Sequence, residues 1–490
     1  MKNIILVQTD SQDGRILGCM GHPAMAAATP NLDELARRGV LFRNAYTNSP
    51  ICCPSRSSMW SGRHVHHCEA WNNYKGLEPG DPTFLAQLER AGRNTSVVGR
   101  TDHLSGKHTP RARVTAWLRS ADIRRPAYNE PAPSILDDDT ERVHERDWAR
   151  AEEAADTLRE LASDPDRPFF LCLGTGVPHP PYRTSRRYLD KIDEAGVTVP
   201  PPDETEHPVM EHRNVQMNWR HGYSDEMVKR VRRVYFAMCA EADAMLGPLL
   251  EAYDELGLAD STYVILTSDH GELAMEHRQW YKMSAYEPSA RVPLLISGGD
   301  CPAGRVVEQP VSLVDIYPTL MDMAGLEHPP GLDGESLMPL VRGDEGADRK
   351  PVLMEYHDTT AVTGIFMLRR GDWKYVLHVG CRPQLFNLAE DPWEVRDLAE
   401  SRPDVVAEMD AALRSIVDPE EVDARVKAYD RASFRAWREE QLAAGTYEET
   451  MARIFSGWDN LSEDEIEPWT DADEAKVLAW LEADTEAATG

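Results

Sequence analysis

No apolar run in the 490-residue sequence approaches the roughly 20 residues that a membrane-spanning helix needs. Basic residues are the scarce sign of charge, 53 against 83 acidic ones, giving a formal net charge of −30 and a pI near 4.9. That balance excludes nonspecific affinity for nucleic acid or an anionic membrane. The opening MKNIILVQTD has one lysine and a short apolar run that ends in polar residues. It lacks the apolar stretch and small-residue cleavage site of a secretory signal, so a cytoplasmic location is expected. Cysteines are few, at positions 19, 52, 53, 68, 172, 239, 301 and 381, and no C-x-x-C pair suggests a zinc site. Adjacent Cys52 and Cys53 cannot bridge each other without strain, so reduced thiols are expected. Neither an internal repeat nor a low-complexity linker is present.

What is there reads as globular: 41% hydrophobic residues over a length that suits two or three structural units around a large core. Residues 3–7, 168–173 and 263–267 read as buried strands. Residues 30–38 read as a helix with proline near its start. Met227, Val231, Val234, Met238, Ala242, Met245 and Leu249 recur at helical spacing. Strands separated by helices favour a mostly parallel sheet covered on both faces, with ligands beyond the carboxyl ends of the strands. That rule points to Thr9-Asp10, to residues 174–182 and to Ser268-Asp269-His270. After Gly371 the pattern becomes a hairpin (373–377 and 384–388) followed by a helix at 403–417. The expected organisation is an α/β catalytic unit at 1–370, a small α+β unit at 371–418 and a helical, acidic extension at 419–490. From Asp459 onward the chain has eleven acidic residues and one lysine, with Trp469 and Trp480 among them. A solvated tail is the expectation, with an arm docked on a neighbouring subunit of a homo-oligomer as the alternative.

The segment richest in chemistry is Cys52-Cys53-Pro54-Ser55-Arg56, followed by Ser61-Gly62-Arg63. The fixed positions of C-x-P-S-R recur by chance roughly once in a thousand chains of this length. On these residues the chain resembles the sulfatase family, in which C-x-P-x-R marks the cysteine oxidised to formylglycine. NAYTNSPICCPSR, AWNNYKGL, YFAMCAEADAML, SDHGELAMEHRQWYKMSAYEPSARVPLL and VSLVDIYPTL are most similar to its arylsulfatase K branch, whose substrate class is 2-sulfated glucuronate. The resemblance implies an alkaline-phosphatase-like α/β sandwich and a sulfuric ester hydrolase matured by a formylglycine-generating enzyme. Its substrate would be a small anionic sulfate ester.

The same resemblance carries roles onto numbered residues. Cys52 is the residue converted to formylglycine, whose hydrate attacks sulfur. Asp10, Asp269 and His270, with residue 52, are the ligands of one divalent cation, calcium in the first place, with magnesium and manganese open. Arg56 supports the formylglycine, Lys282 meets the sulfate near the leaving oxygen, and His179 contacts substrate and protonates the leaving alcohol. The chain also departs from the family. Ser11 stands where many members have a second aspartate. The usual Gly-Lys is Gly99-Arg100, and Asp102 replaces a histidine for which His103 or His108 is the substitute. Lys107, Arg111, Arg113, Arg119, Arg124 and Arg125 form either a basic lip for an anionic substrate or a solvated helix face. The rival functions are a phosphate diester or phosphonate monoester hydrolase with a similar site, a non-catalytic binding protein, and an enzyme that uses Cys52 as a thiol.

Overall fold

The computed structural model describes residues 2–125, 131–204, 206–219, 222–344, 349–456 and 466–487. Its centre is a seven-stranded sheet built from β1 (Asn3–Asp10), β2 (Gly39–Phe42), β3 (Asn94–Gly99), β4 (Phe169–Pro178), β5 (Thr262–Ser268), β6 (Leu294–Gly298) and β7 (Arg305–Val307). The strand order is β7-β2-β6-β5-β1-β4-β3, and β6 alone runs against the rest. The side chains of β1 alternate between two cores. Ile4 and Leu6 pack with Trp60 and Leu320, whereas Ile5 and Val7 pack with Trp148 and Leu249. Because both faces are covered, the strand needs a continuous apolar run and not a polar alternation.

The helices covering it include α1 (Cys52–Ser61), α2 (Pro110–Trp117), α3 (Glu145–Ala162), α4 (Asp225–Met245) and α5 (Ile316–Ala324). The helical periodicity around Met227 is realised in α4. It stops before Leu249, which lies on a separate helix begun by Gly247-Pro248. A second, antiparallel sheet takes β8 (Val352–Tyr356), β9 (Ile365–Arg370), β10 (Trp373–His378) and β11 (Gln384–Asn387) in sequential order. The hairpin read from sequence is β10–β11, and two more strands precede it. One face of this sheet packs on Val405, Met409 and Leu413 of α6 (Pro403–Arg414).

The chain then forms α7 (Pro419–Ala444), α8 (Tyr447–Ile454) and α9 (Asp471–Ala487). The Asp418 side chain caps α7 by accepting from Glu421 N, proline opens the helix, and Gly445 at φ 71° closes it. Here the expectation of a solvated tail is corrected. Val477, Trp480 and Leu481 are buried with Phe434, Trp437, Tyr447 and Met451 against Val114, Trp117 and Leu118 of the α2 region. Trp480 docks on its own chain, where it joins the apolar cluster that α2, α7 and α8 already form. Asp459 to Glu465 lie outside the described residues.

Trp480→Ala removes a buried aromatic from this contact and is expected to lower stability by about 3 kcal/mol in urea titrations. An unchanged midpoint would mean that α9 contributes nothing to the fold.

Candidate functional site

Four adjacent parallel strands end at one edge of the large sheet, and each delivers a polar group there. Asp10 closes β1, Arg100 follows β3, His179 follows β4, and Asp269-His270 follow β5. Gly99 allows the exit from β3. Its φ is +87°, and a Cβ there would lie 2.1 Å from the Gly174 carbonyl oxygen. Cys52 arrives from the opposite side as the first residue of α1, a helix buried along its whole length. The helix's positive end therefore faces the strand ends.

At the centre lies Arg56, fully buried. Its Nε donates to Asp269 Oδ2 (2.8 Å) and its Nη2 to Asp10 Oδ2 (3.0 Å). Its Nη1 donates to the Arg100 carbonyl (3.1 Å). Arg100 Nη1 reaches the same Asp10 oxygen at 3.2 Å, and its Nη2 donates to Asp102 Oδ2 at 2.9 Å. Burial alone would raise the Asp10 carboxyl, but Arg100 and Arg56 outweigh it and hold the group well below the usual carboxylate range. Ser11 supplies no carboxylate. Its backbone N–H donates to Asp269 Oδ1 (3.2 Å), and its carbonyl accepts from Tyr235.

The donor atoms of Asp10, Cys52, Asp269 and His270 lie within 4.8 Å of one another, and all four residues are buried. Cys52 Sγ is 3.3 Å from His270 Nε2 and 4.0 Å from Asp10 Oδ1, and His270 Nε2 is 3.6 Å from Asp269 Oδ2. His270 Nδ1 donates to the Gly271 carbonyl (2.9 Å), which leaves Nε2 as the inward lone pair. Burial lowers the His270 pKa and keeps the ring neutral.

Above the cluster opens a cavity of about 200 Å³ lined by Cys52, Arg100, His108, His179 and Lys282, among others. Lys282 Nζ lies 2.5 Å from His179 Nε2, while His179 Nδ1 donates to the Pro180 carbonyl. Burial, then Lys282, lowers the His179 pKa to about 3. The imidazole is thus a neutral acceptor at Nε2 towards Lys282 Nζ.

Of the two substitute histidines read from the sequence, His108 lines the cavity and lies 3.0 Å from Asp102 Oδ2, whereas His103 stacks on Trp60. Sequence reasoning missed another member of the site. Asn73 also lines the cavity and accepts from Cys53 N (3.0 Å). It sits within the AWNNYKGL segment, which carried resemblance but no role. The basic lip is corrected. Arg119 is buried against Asp430 (2.8 Å), Arg125 pairs with Asp473 and Glu467, and Arg124 pairs with Asp122. Arg113 lies over Tyr74 and Trp117. Arg119 and Arg125 anchor the C-terminal helices, Arg124 and Lys107 lie exposed at the surface, and Arg111 is the arginine of the group that lines the cavity.

The chain matches known proteins over most of its length. The sulfatase family model matches residues 2–326, and the model for the C-terminal region of N-sulphoglucosamine sulphohydrolase matches 275–418. Arylsulfatase K of Danio rerio is 38% identical over 475 residues, 92% of this chain and 90% of that protein. The Homo sapiens protein of the same name is 39% identical over 479 residues, 92% of this chain and 88% of its own. Among solved structures, the phosphonate monoester hydrolase of Agrobacterium radiobacter superposes with a TM-score of 0.67 at 24% identity, covering 85% of this chain and 96% of that one. A 2-O GAG sulfatase does so with 0.66 at 21%, covering 86% and 93%. These two share the fold.

Burial, and next the Asp10 carboxylate, push the Cys52 thiol up to about 12 against the pull of Lys282. At pH 8 the thiolate fraction of unconverted Cys52 is then on the order of one in ten thousand. Iodoacetamide is expected to label exposed Cys381 and spare Cys52 in peptide mass maps of metal-free, unconverted protein. Rapid labelling of Cys52 would restore the thiol-enzyme alternative.

Proposed function

The chain belongs to the sulfatase family and hydrolyses sulfate esters, and we propose that its substrate is a small sulfated sugar of the 2-sulfated glucuronate class. The observation that carries the reading is the buried Asp10–Cys52–Asp269–His270 cluster beneath a cavity that also presents Arg100, Lys282 and His179. The similarity to arylsulfatase K over most of the chain supports the sugar class.

Two carboxylates, a neutral imidazole and the side chain of residue 52, clustered within 4.8 Å, fit an oxygen-preferring divalent cation with ligands at about 2.0–2.6 Å. Calcium is proposed, with magnesium and manganese as the alternatives that reconstitution separates. When bound, the cation neutralises charge and lowers the proton affinity of the hydroxyl that a formylglycine at position 52 supplies as nucleophile. The Cys52 Sγ stands in here for the oxygen of that group. Maturation by a formylglycine-generating enzyme is part of the proposal. So is a cytoplasmic location, which eight unpaired cysteines favour.

The remaining work falls to the chain's own residues. Arg56 fixes the two carboxylates so that each keeps an oxygen turned towards residue 52 and His270. Arg100 holds Asp10 from the other side and offers its planar fork to sulfate oxygens. Lys282 carries the proton nearest the leaving oxygen, and His179 aims its ammonium group. This reverses the expected division of labour, in which His179 was the acid: a ring with a pKa of about 3 that accepts from Lys282 has no proton to give at that nitrogen. Asp102 and His108 close the wall beside Arg100.

In protein co-produced with a formylglycine-generating enzyme, kcat/KM for an aryl sulfate is expected to exceed that for a phosphate diester or a phosphonate monoester. Cys52→Ala should lose several orders of magnitude of that turnover. Leading phosphorus-ester activity would keep the nucleophile and reject the substrate class. Asp269→Asn should lose bound metal, read by elemental analysis, together with activity. A metal-replete, active variant would remove Asp269 from the ligand set.

A further inference from the structure

Resting on the reading of Lys282 as the proton donor to the leaving oxygen, and not on the sugar class, we propose that Glu276 is a positioning residue. Its buried carboxylate, tied to Arg15 and Arg232, holds residues 273–283 in the strained form that presents Lys282 to the cavity. The segment follows β5 and contains no glycine. Even so, Ala274, Met275, His277, Arg278, Tyr281 and Met283 all have φ between 42° and 72°. A Cβ makes that left-handed region unfavourable, so such residues persist only where the surrounding contacts impose it. Six of them in ten positions need an anchor.

The segment doubles back on itself. The Leu273 N–H donates to the Tyr281 carbonyl (2.6 Å) and the Met275 N–H to the Gln279 carbonyl (2.7 Å), which puts Glu276 near the tip and Lys282 at the base. At the base, the Met283 N–H donates to the carbonyl of Pro50 (3.0 Å), two residues before Cys52. Lys282 Nζ then lies 2.5 Å from His179 Nε2.

The tip is fastened by charge. Glu276 is 3% exposed, and its Oε1 accepts from Arg15 Nη2 (2.9 Å) and from Arg232 Nη1 (3.3 Å). The same Arg232 nitrogen donates to the Ala274 carbonyl (3.2 Å). Arg15 is itself held by Asp13, whose oxygens lie 3.1 Å from Nε and 2.7 Å from Nη2. Burial would raise the Glu276 carboxyl, but Arg15 and Arg232 bring it below the usual value, so the group stays ionised. Arg232 stands on α4, and Arg15 follows Asp10 by five residues. The neighbouring pairs, His277 with Asp203 and Arg278 with Asp225, involve exposed acids that water and salt screen. The Glu276 tie is shielded from both. Without its charge the tip is released, the strained residues relax, and Lys282 leaves its place beside His179.

The test compares phenyl sulfate with 4-nitrophenyl sulfate on the formylglycine-bearing protein. Phenolate is the poorer leaving group and depends more on a proton in the transition state. The ratio of the two kcat/KM values therefore reports how well the proton donor is placed. Lys282→Ala is expected to lower the phenyl-to-nitrophenyl ratio by about 10–100-fold. Glu276→Gln keeps the shape without the charge and should lower the ratio by about 10-fold, and Glu276→Asp by less. In a Lys282→Ala background, Glu276→Gln should change the ratio by less than about 2-fold, because the group it positions is already gone. Melting curves report whether each variant is folded. Arg15→Gln, at a partly exposed side chain, loosens the same tie from its other end and carries the test if Glu276→Gln does not fold; its ratio should fall as well. An unchanged ratio in either folded variant, an equal loss on both esters, or a loss that adds in full to that of Lys282→Ala would overturn the assignment. If Lys282→Ala itself leaves the ratio unchanged, the proton-donor reading fails and this inference with it. A fall in Lys282→Ala without one in Glu276→Gln defeats this inference alone.

Discussion

The bridge that Arg56 makes between Asp10 and Asp269 is the constraint on which the site depends. Two carboxylates with no solvent exposure cannot share a small volume unless a cation meets both, because desolvation costs several kcal/mol per ion. One guanidinium satisfies this with separate nitrogens. Its third bond, to the Arg100 carbonyl, extends the tie to the end of β3. A single side chain from α1 thus links the ends of β1, β3 and β5. Through Cys52, four residues earlier on the same helix, it also sets where the nucleophile stands. Lysine in its place would keep the charge and lose the simultaneous geometry.

From that knot the architecture can be followed outwards. Parallel strands put their carboxyl ends on one edge, so groups distant in sequence become neighbours: Asp10 with Asp269, and His179 with Lys282. The C-terminal extension joins the site less directly. It buries the apolar side of α2, and α2 in turn forms a wall of the cavity. An element that reads from composition as an acidic appendage therefore participates in shaping the opening.

Much of the sheet and floor was legible in the sequence because the relevant signals are local. A covered strand needs an uninterrupted apolar run, such as Ile4 to Val7, and a polar residue at its end has few destinations other than the sheet edge. The C-x-P-S-R segment is likewise contiguous. The misread parts depend on partners hundreds of residues away. Arg119 looks like a surface cation until Asp430 is seen beside it, and Trp480 looks stranded in acid until α2 and α7 enclose it. The proposed reassignment of His179 rests on the same kind of distant partner. Its residue type suggests an acid, but the Lys282 ammonium and the Pro180 carbonyl decide which nitrogen carries the proton.

The inner charges then constrain the size of the substrate. Carboxylates Asp10, Asp269 and Asp102 stand against cations Arg56, Arg100 and Lys282, so the protein alone is close to balanced at the floor. A divalent cation makes it attractive to a sulfate monoester, but only within its own reach, since screening limits exposed charges to about 8 Å at physiological salt. Beyond that reach lies the surface of a protein with a formal net charge of −30. A sulfated polymer would have to lay many of its charges along that surface, and each would add repulsion. A monosaccharide brings its charge into the cavity and leaves none outside. The same acidity that argues against nucleic acid therefore supports the proposal of a small anion over a long one.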